Sequence, residues 1–264
     1  MSSPSISVIT PCLNAVGTIE ETLASVRGQD YDGGVEHLVV DGGSTDGTLA
    51  ILERAEGIRF TSGPDSGRPD AANKGTAIAS GEIVGFLNAD DRYEPGALAA
   101  AGAAFAASPD ADWVTGYCRI IDAGGEEIRK PVTAYKNALL RHFSLPLYLT
   151  QNFVSDPATF VRRTALAAAG PLDERYVISH DYDLWLRLAR RGDPVVLRRY
   201  LAGFRMAEGS LSMAGFELQF SEHAEVARRR GEGHRVAVAA NTVLSRLIVV
   251  VYRALRAARR LRGS

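Results

Sequence analysis

Two aspartates stand side by side, Asp90 and Asp91, at the end of the apolar run FLNADD. Adjacent carboxylates repel, and burying either one unpaired is costly. The pair is therefore expected to face something supplied from outside the chain. A divalent cation, Mg²⁺ or Mn²⁺, suits that place, because such ions prefer oxygen ligands. Mg²⁺ usually takes only one or two protein carboxylates and fills its shell with phosphates and waters. On its own a DD pair also reads as a solvated turn. A third acid, Asp41, ends a second apolar run, HLVVD, and weakens that plainer reading.

Two further stretches carry groups suited to chemistry. DGGSTDGT, residues 41–48, is glycine-rich and precedes a helical pattern, as a phosphate cradle would. It matches neither GxGxxG nor GxxxxGK[ST]. Ser44 and Asp46 could cap the helix that follows, contact a ligand, or do both. SHDYDLWLRLARRG, residues 179–192, opens with Asp181 and Asp183. Asp181 could act as a general base or simply offset the helix dipole. Asp183 lies two positions on and points elsewhere, and His180 is a third candidate base because its ordinary pKa is near neutral.

The elements that must position these groups alternate. Residues 5–10 read as a short buried strand stopped by Pro11, and TIEETLASV as a helix with Ile19, Leu23 and Val26 on one face. HLVVD, IRFTS and EIVGFLN read as strands. STDGTLAILERA, DAANKGTAIAS and PGALAAAGAAFAAS read as helices between and after them. This alternation predicts an α/β fold with a doubly wound, mostly parallel sheet. Ligands bind outside the carboxyl ends of such strands, so 10–14, 41–46 and 88–91 should open on one edge. After residue 110 the rhythm changes. DWVTGYCRIID and EEIRKPV read as strands joined by a turn at 123–125, followed by a polar-aromatic stretch over 134–153. ATFVR reads as a further strand, RTALAAAG as a helix, and 179–192 as a helix with Ser179 at its N-cap and Gly192 ending it. This mixed half should shape one side of a cleft.

Composition sets bounds. The chain has 264 residues, 46% hydrophobic and 23% charged, with net charge −1. That suits one large domain or two small ones with a sizeable core and argues against nucleic acid as partner. Cys12 and Cys118 have no metal-ligand spacing and read as reduced thiols. MSSPS has neither a basic nor an apolar leader segment, and no uninterrupted apolar run approaches the roughly 20 residues of a spanning helix.

SVITPCLNAVGTIEETLASVRGQ, EHLVVDGGSTDGT, PDSGRPDAANKGTAIASGEIVGFLNADD and HDYDLWLRL, in this order, resemble the family 2 glycosyltransferases of GT-A fold. The resemblance covers about residues 5–212. It implies an inverting enzyme, of hexosyltransferase type, that uses a nucleotide-diphosphate sugar and a divalent cation. It implies a saccharide or glycolipid acceptor and work in cell-surface polysaccharide or glycolipid synthesis. By position, Thr10 and Pro11 begin the nucleotide pocket, with Asn14 and Ser44 beside them. Asp41 matches the acid that reads the base, Asp90 would face the ribose, and Asp91 the metal. Lys74 would face the nucleotide, and Asp65 and Asp70 flank a turn near the substrate. Asp181 matches the catalytic base. One departure stands out: where relatives often carry a histidine after the residue matching Met206, this chain has Ala207, and Arg205 could supply the missing charge or form a structural ion pair.

The implied organisation is a glycosyltransferase domain over 1–212, with a nucleotide-sugar half (1–110) and an acceptor half (111–212). A C-terminal helical tail follows over 213–264. From His234 onward the tail has no acid but arginines at 235, 246, 253, 256, 259, 260 and 262. Arg246, Arg253, Arg256 and Arg260 share one helical face, opposite Val243, Leu244, Leu247, Ile248, Val251 and Leu255. That pattern predicts an in-plane helix on an anionic membrane, hence a cytoplasmic protein peripheral on the inner face. A helix packed on the domain or on a partner subunit is the alternative. Two rival functions are a sugar nucleotidyltransferase, whose basic GxGxR-type loop TPCLNAVGT lacks, and a non-catalytic nucleotide-sugar binder.

Overall fold

Every residue of the first strand, β1 (Ile6–Cys12), is buried. A strand covered on both faces by helices needs such a continuous run. The chain is a computed structural model that describes residues 3–206 and 215–262, with side chains through residue 253. After β1 come α1 (Ile19–Arg27), β2 (Val35–Asp41), α2 (Thr48–Leu52), β3 (Ile58–Ser62), α3 (Arg68–Ile78) and β4 (Ile83–Phe86). The strands lie in the order β3-β2-β1-β4, all parallel, as the alternation predicts.

The sheet then turns mixed. The chain continues through β5 (Arg92–Tyr93), α4 (Ala97–Ala107), β6 (Trp113–Ile121), β7 (Glu127–Ile128), α5 (Lys130–Leu140), α6 (Leu145–Thr150), β8 (Thr159–Arg162), α7 (Arg163–Ala169), α8 (His180–Ala189) and β9 (Val195–Arg205). β8 lies antiparallel between β4 and β6, β9 runs parallel to β6, and β5 pairs antiparallel with β9 at the edge. Two helices follow, α9 (Phe216–Arg230) and α10 (Arg235–Arg262). They lie against α8 and α6 and add Val226 and Ala237 to the core cluster that holds Trp113, Trp185, Tyr148 and Tyr182. A second cluster, on α4 and the sheet, holds Ile6, Val8, Leu98, Ala101 and Phe105.

Several local expectations are revised. β1 does not stop before Pro11 but runs through it to Cys12, paired with β2. Pairing with β4 has already ended at Ile9 and Phe86, so the missing proline N–H faces a side without a ladder partner. α2 starts at Thr48 and has five residues, shorter than the pattern predicts. The segment after Ile128 is a helix rather than a strand: Arg129, at φ 52°, turns the chain, and Pro131 sits in the first turn, where its lack of N–H costs nothing. Ser179 holds the N-cap position of α8 but makes no capping hydrogen bond with its side chain.

Candidate active site

The carboxyl ends of β1, β2 and β3 are level, with Cys12 opposite Asp41 and Asp41 opposite Ser62. Asp41 is almost wholly buried. Its Oδ2 accepts from the main-chain N–H of Gly43 and Ser44, both at 3.0 Å, and from Ser62 Oγ at 2.7 Å. Its Oδ1 accepts, among the described residues, from Ser44 Oγ alone, which leaves that oxygen room for one more donor. Burial pushes the Asp41 pKa up, but the bonds from Ser44, Ser62 and Gly43 outweigh it and hold the carboxyl below its ordinary value.

The β1 and β2 loops are stitched together. Asn14 takes the left-handed conformation at φ 49°, which asparagine tolerates. Its N–H donates to Ser44 Oγ (2.7 Å), and its Oδ1 accepts from Thr45 N–H (2.9 Å). Asp46 accepts from Thr48 N–H and Oγ1 and from Val16 N–H, so it acts as a cap and a loop tie. Asp65 packs against Gly42, where a β-carbon would stand 2.5 Å from its Oδ2. Only glycine allows that approach. Lys74 pairs with Asp70 at 2.9 Å and donates to Pro64 O at 3.2 Å, so it braces the loop carrying Asp65. Thr10 and Pro11 are buried, and the Thr10 hydroxyl is bonded to His37 Nε2 at 2.9 Å inside the core.

The Asn88–Asp91 turn hangs on α1. Thr18 Oγ1 donates to Ala89 O and Thr22 Oγ1 to Asp91 O, at 2.8 and 2.7 Å. The two adjacent acids then diverge. Asp91 is 1% exposed, and both its oxygens are engaged. Oδ1 accepts from Arg205 N–H at 2.8 Å and Oδ2 from Asn88 Nδ2 at 2.7 Å. Asp90 is half-buried, and apart from its own main-chain N–H no donor among the described residues reaches its carboxylate. Burial raises the pKa of both acids, and Asp90 raises Asp91 further, while Arg68 draws both down. Arg205 is a structural clamp. Its guanidinium donates to the carbonyls of Asp90, Asp122 and Ala123, each at 2.8 Å, and to Glu21. Ala207 lies outside the described residues.

Asp181 opens the first turn of α8, and its carboxylate faces a cavity of about 720 Å³ also lined by Arg68, Asn88, Lys136 and Asp156. Burial raises its pKa, with Arg68, the Tyr182 N–H and Lys136 pulling the other way. The rival bases are committed elsewhere. Asp183 is fully buried and ion-paired to Arg187 (2.9 Å) and Arg230 (2.6 Å). His180 has its pKa pushed down to about 3 by burial and then by Arg68, so it is neutral at physiological pH. Its Nε2 lies 3.3 Å from Arg68 Nη2.

Four residues outside the sequence-derived set belong to this site. Arg68, the first residue of α3, links the two halves: it lies 3.8 Å from Asp156 Oδ2 and beside His180. Asp156 is buried, its pKa pushed up to about 7 by burial and then by Asp181. Lys136, bonded to Ser155 Oγ at 3.1 Å, adds a second cation. Glu222 of α9 accepts from the N–H groups of Val177, Ile178 and Ser179 at 2.9, 3.0 and 2.8 Å, which fixes the start of α8. Arg68 sits inside DSGRPD, but nothing in that string says it crosses to α8.

No cluster of three or more His, Cys, Asp or Glu gathers as a metal cage among the described residues. One free carboxylate at a strand end is instead the donor set that Mg²⁺ or Mn²⁺ shares with a diphosphate.

The family model for glycosyl transferase family 2 matches residues 7–168. An uncharacterized glycosyltransferase of Mycobacterium tuberculosis is 35% identical over 209 residues, covering 77% of this chain and 76% of that protein. A PGL/p-HBAD biosynthesis glycosyltransferase of Mycobacterium bovis is 31% identical over 207 residues, covering 76% and 75%. Among solved structures, S. aureus TarS 1-349 in complex with UDP-GlcNAc superposes with TM-score 0.64 at 20% identity, over 86% of this chain and 66% of that one. The mannosyltransferase PcManGT from Pyrobaculum calidifontis, in complex with GDP-Man and Mn²⁺, gives TM-score 0.66 at 19% identity, over 96% and 80%. At these identities the structural likeness speaks to the fold, which is of GT-A type.

Proposed function

The chain belongs to glycosyl transferase family 2, and on that premise we propose that it moves a hexosyl group from a nucleotide-diphosphate sugar to an acceptor hydroxyl with inversion at the anomeric carbon. The observation that carries this reading is that two carboxylates, Asp90 at a strand end and Asp181 on α8, both feel the charge of Arg68, which lines the cavity beside Asp181.

In this reading the nucleotide lies over the level ends of β1, β2 and β3. Asp41 Oδ1 accepts the ring N–H of the base, Asn14, Ser44 and Asp65 shape the pocket, and Thr10, Pro11 and Lys74 hold its walls. Asp90 holds the cation, because among the described residues only its own main-chain N–H reaches its carboxylate, whereas Asp91 braces the turn. This reverses the division implied by the resemblance, which gave Asp91 the metal and Asp90 the ribose. When bound, the divalent cation offsets charge gathering on the leaving diphosphate. Arg68 adds a fixed positive charge at the same place. Asp181 takes the acceptor proton as the hydroxyl oxygen attacks from the opposite face. Its raised pKa brings it toward the range where a general base works near neutral pH.

The relatives' complexes differ in nucleotide and sugar, UDP-GlcNAc in one and GDP-Man with Mn²⁺ in the other. Both donors therefore belong in the test, with a saccharide or glycolipid acceptor. Release of nucleoside diphosphate, with and without Mn²⁺, separates transfer from mere binding. Asp181→Asn should lower kcat by about 10² or more at nearly unchanged donor affinity, the scale of general-base catalysis. Near-normal turnover by that variant would show that Asp181 is not the base.

We also propose a peripheral place on the cytoplasmic face of an anionic membrane. Val236, Val243, Leu247, Val250 and Val251 form an exposed apolar stripe on α10, with Arg246 beside it. Arg235–Arg253 is long and apolar enough to cross a membrane by length and composition. Its inner face, with buried Ala237, Asn241 and Ser245, packs on the domain, which favours lying in the plane.

A further inference from the structure

The 720 Å³ cavity lined by Asp181 extends well beyond that carboxylate. It continues between α9 and α10, past Phe216, Phe220, Leu244, Ile248 and Tyr252. These five side chains point inward yet are only half-buried. Phe216 stacks on Tyr252 with ring centroids 3.9 Å apart and lies 4.7 Å from Phe220, giving the far end an aromatic lining. Protein interiors are otherwise packed to the density of organic crystals, so open space of this size is not ordinary core. Its volume falls within the roughly 300–1,000 Å³ of small-molecule sites. The near end is polar: Asn152, Gln151, Lys136 and Asp156 surround Asp181. One cavity thus offers hydrogen-bonding groups at the base and, beyond it, a mainly aromatic and aliphatic lining interrupted by Gln219, His223 and Ser245 and, at the Tyr252 hydroxyl, by Arg129.

We propose that the acceptor is an amphiphile, whose hydroxyl-bearing head sits at Asp181 and whose apolar aglycone lies between α9 and α10. The proposal rests on the transferase reading only for the role of Asp181. The occupant is fixed by continuity: an apolar group reaching Phe216 and Tyr252 must belong to the molecule whose head is at the base, because both ends are one space. α10 then has two apolar faces with different tasks, the inner one lining the acceptor site and the outer one exposed.

The test uses hexyl, octyl and decyl β-D-glucoside, each below its micelle concentration, with affinity read by titration calorimetry. Burial of each methylene should tighten binding about fourfold, or roughly tenfold or more for each pair. Ile248→Gln and, separately, Phe220→Gln should flatten this dependence, while Val243→Gln on the outer face should leave it intact. A wild-type affinity independent of chain length overturns the proposal. So does a dependence lost in the outer variant and kept in the inner ones. Because inner variants can disturb folding, a diazirine-tailed octyl glucoside provides a second readout on the unaltered protein. Cross-links should map to Phe216, Phe220, Leu244 or Ile248, and labelling confined to Val243 and Leu247 refutes the assignment. UDP and GDP binding, measured without glucoside, reports separately on the transferase reading. Its loss would sink that reading without changing the chain-length result.

Discussion

Adjacent aspartates with different surroundings should fail differently. Asp91 is sealed between Asn88 and the Arg205 N–H. An alanine there would leave the Arg205 N–H and the Asn88 amide buried without their acceptor, at about 1–3 kcal/mol for each. Asp91→Ala should therefore lower the melting temperature and leave the Mn²⁺ dependence of nucleotide binding unaltered. Asp90→Asn should do the reverse, weakening nucleotide binding in Mn²⁺ about tenfold or more while the ligand-free protein melts as before. Calorimetry and thermal denaturation of both variants read the two effects, and interchanged results would return the cation to Asp91. Asp156 gives a second prediction. Its pKa of about 7, raised by burial and then by Asp181, lies well above the roughly 3.9 of an unfolded aspartate. Below about pH 4 it is protonated in both states, and its protonated form contributes fully to stability. Between there and pH 7 the unfolded chain ionises first, so that contribution is lost as pH rises. Asp156→Asn, neutral and similar in shape, should gain melting temperature relative to the unaltered protein between pH 5 and pH 8. A difference flat with pH would show that Asp156 titrates normally.

At the scale of elements, α8 presents Asp181 only because something holds its first turn. Ser179 makes no side-chain cap, and the three N–H groups before the helix converge on Glu222 from α9 instead. A carboxylate has the acceptor capacity for three donors, whereas glutamine brings one oxygen and an NH₂ group of its own. Glu222→Gln should lower kcat severalfold with donor KM unchanged, because the donor contacts proposed above lie on the far half of the sheet. A matching loss of donor affinity would mean that Glu222 supports the whole domain rather than α8. α3 plays the corresponding part for Arg68. Its close approach to β1 depends on Gly75, where a β-carbon would run into Ile9 Cγ2. That packing sets where the first turn of α3, and with it the guanidinium, arrives.

On the scale of the whole molecule, α10 both lines the cavity at Asp181 and presents an outer face to solvent. Deleting it would remove Leu244, Ser245, Ile248 and Tyr252 from the cavity wall, so truncation cannot isolate a membrane role. Point changes can. The combined Val243→Gln, Leu247→Gln and Val250→Gln variant alters only exposed side chains. It should keep its melting temperature and nucleotide affinity while losing co-sedimentation with phosphatidylglycerol vesicles. Equal sedimentation of both proteins would refute membrane attachment through this face. The arginines favour anionic over neutral vesicles, and added salt should weaken the attachment.

Much of this was legible in the chain alone. Apolar runs alternating with helical periodicity dictate parallel strands with helical crossovers, and the shared carboxyl edge of such strands brings Asp41, Asp90 and Asp91 together. Only the family resemblance singles out Asp181 from Asp183 and His180, because an acid in the first turn of a helix serves equally to offset the dipole. What the sequence left open depends on contacts between distant segments. Which acid of the NADD turn is sealed by a distant donor was decided by Arg205, 114 positions away from Asp91. Arg68 joins the site through a partner 112 positions on, His180. The tail's arginines and valines fixed its amphipathic character, but only packing against α6 and α9 divided its apolar side into an inner and an outer face. Periodicity reports which residues share a face of their own element. Which neighbour covers that face is set by the closing of the whole chain around its core.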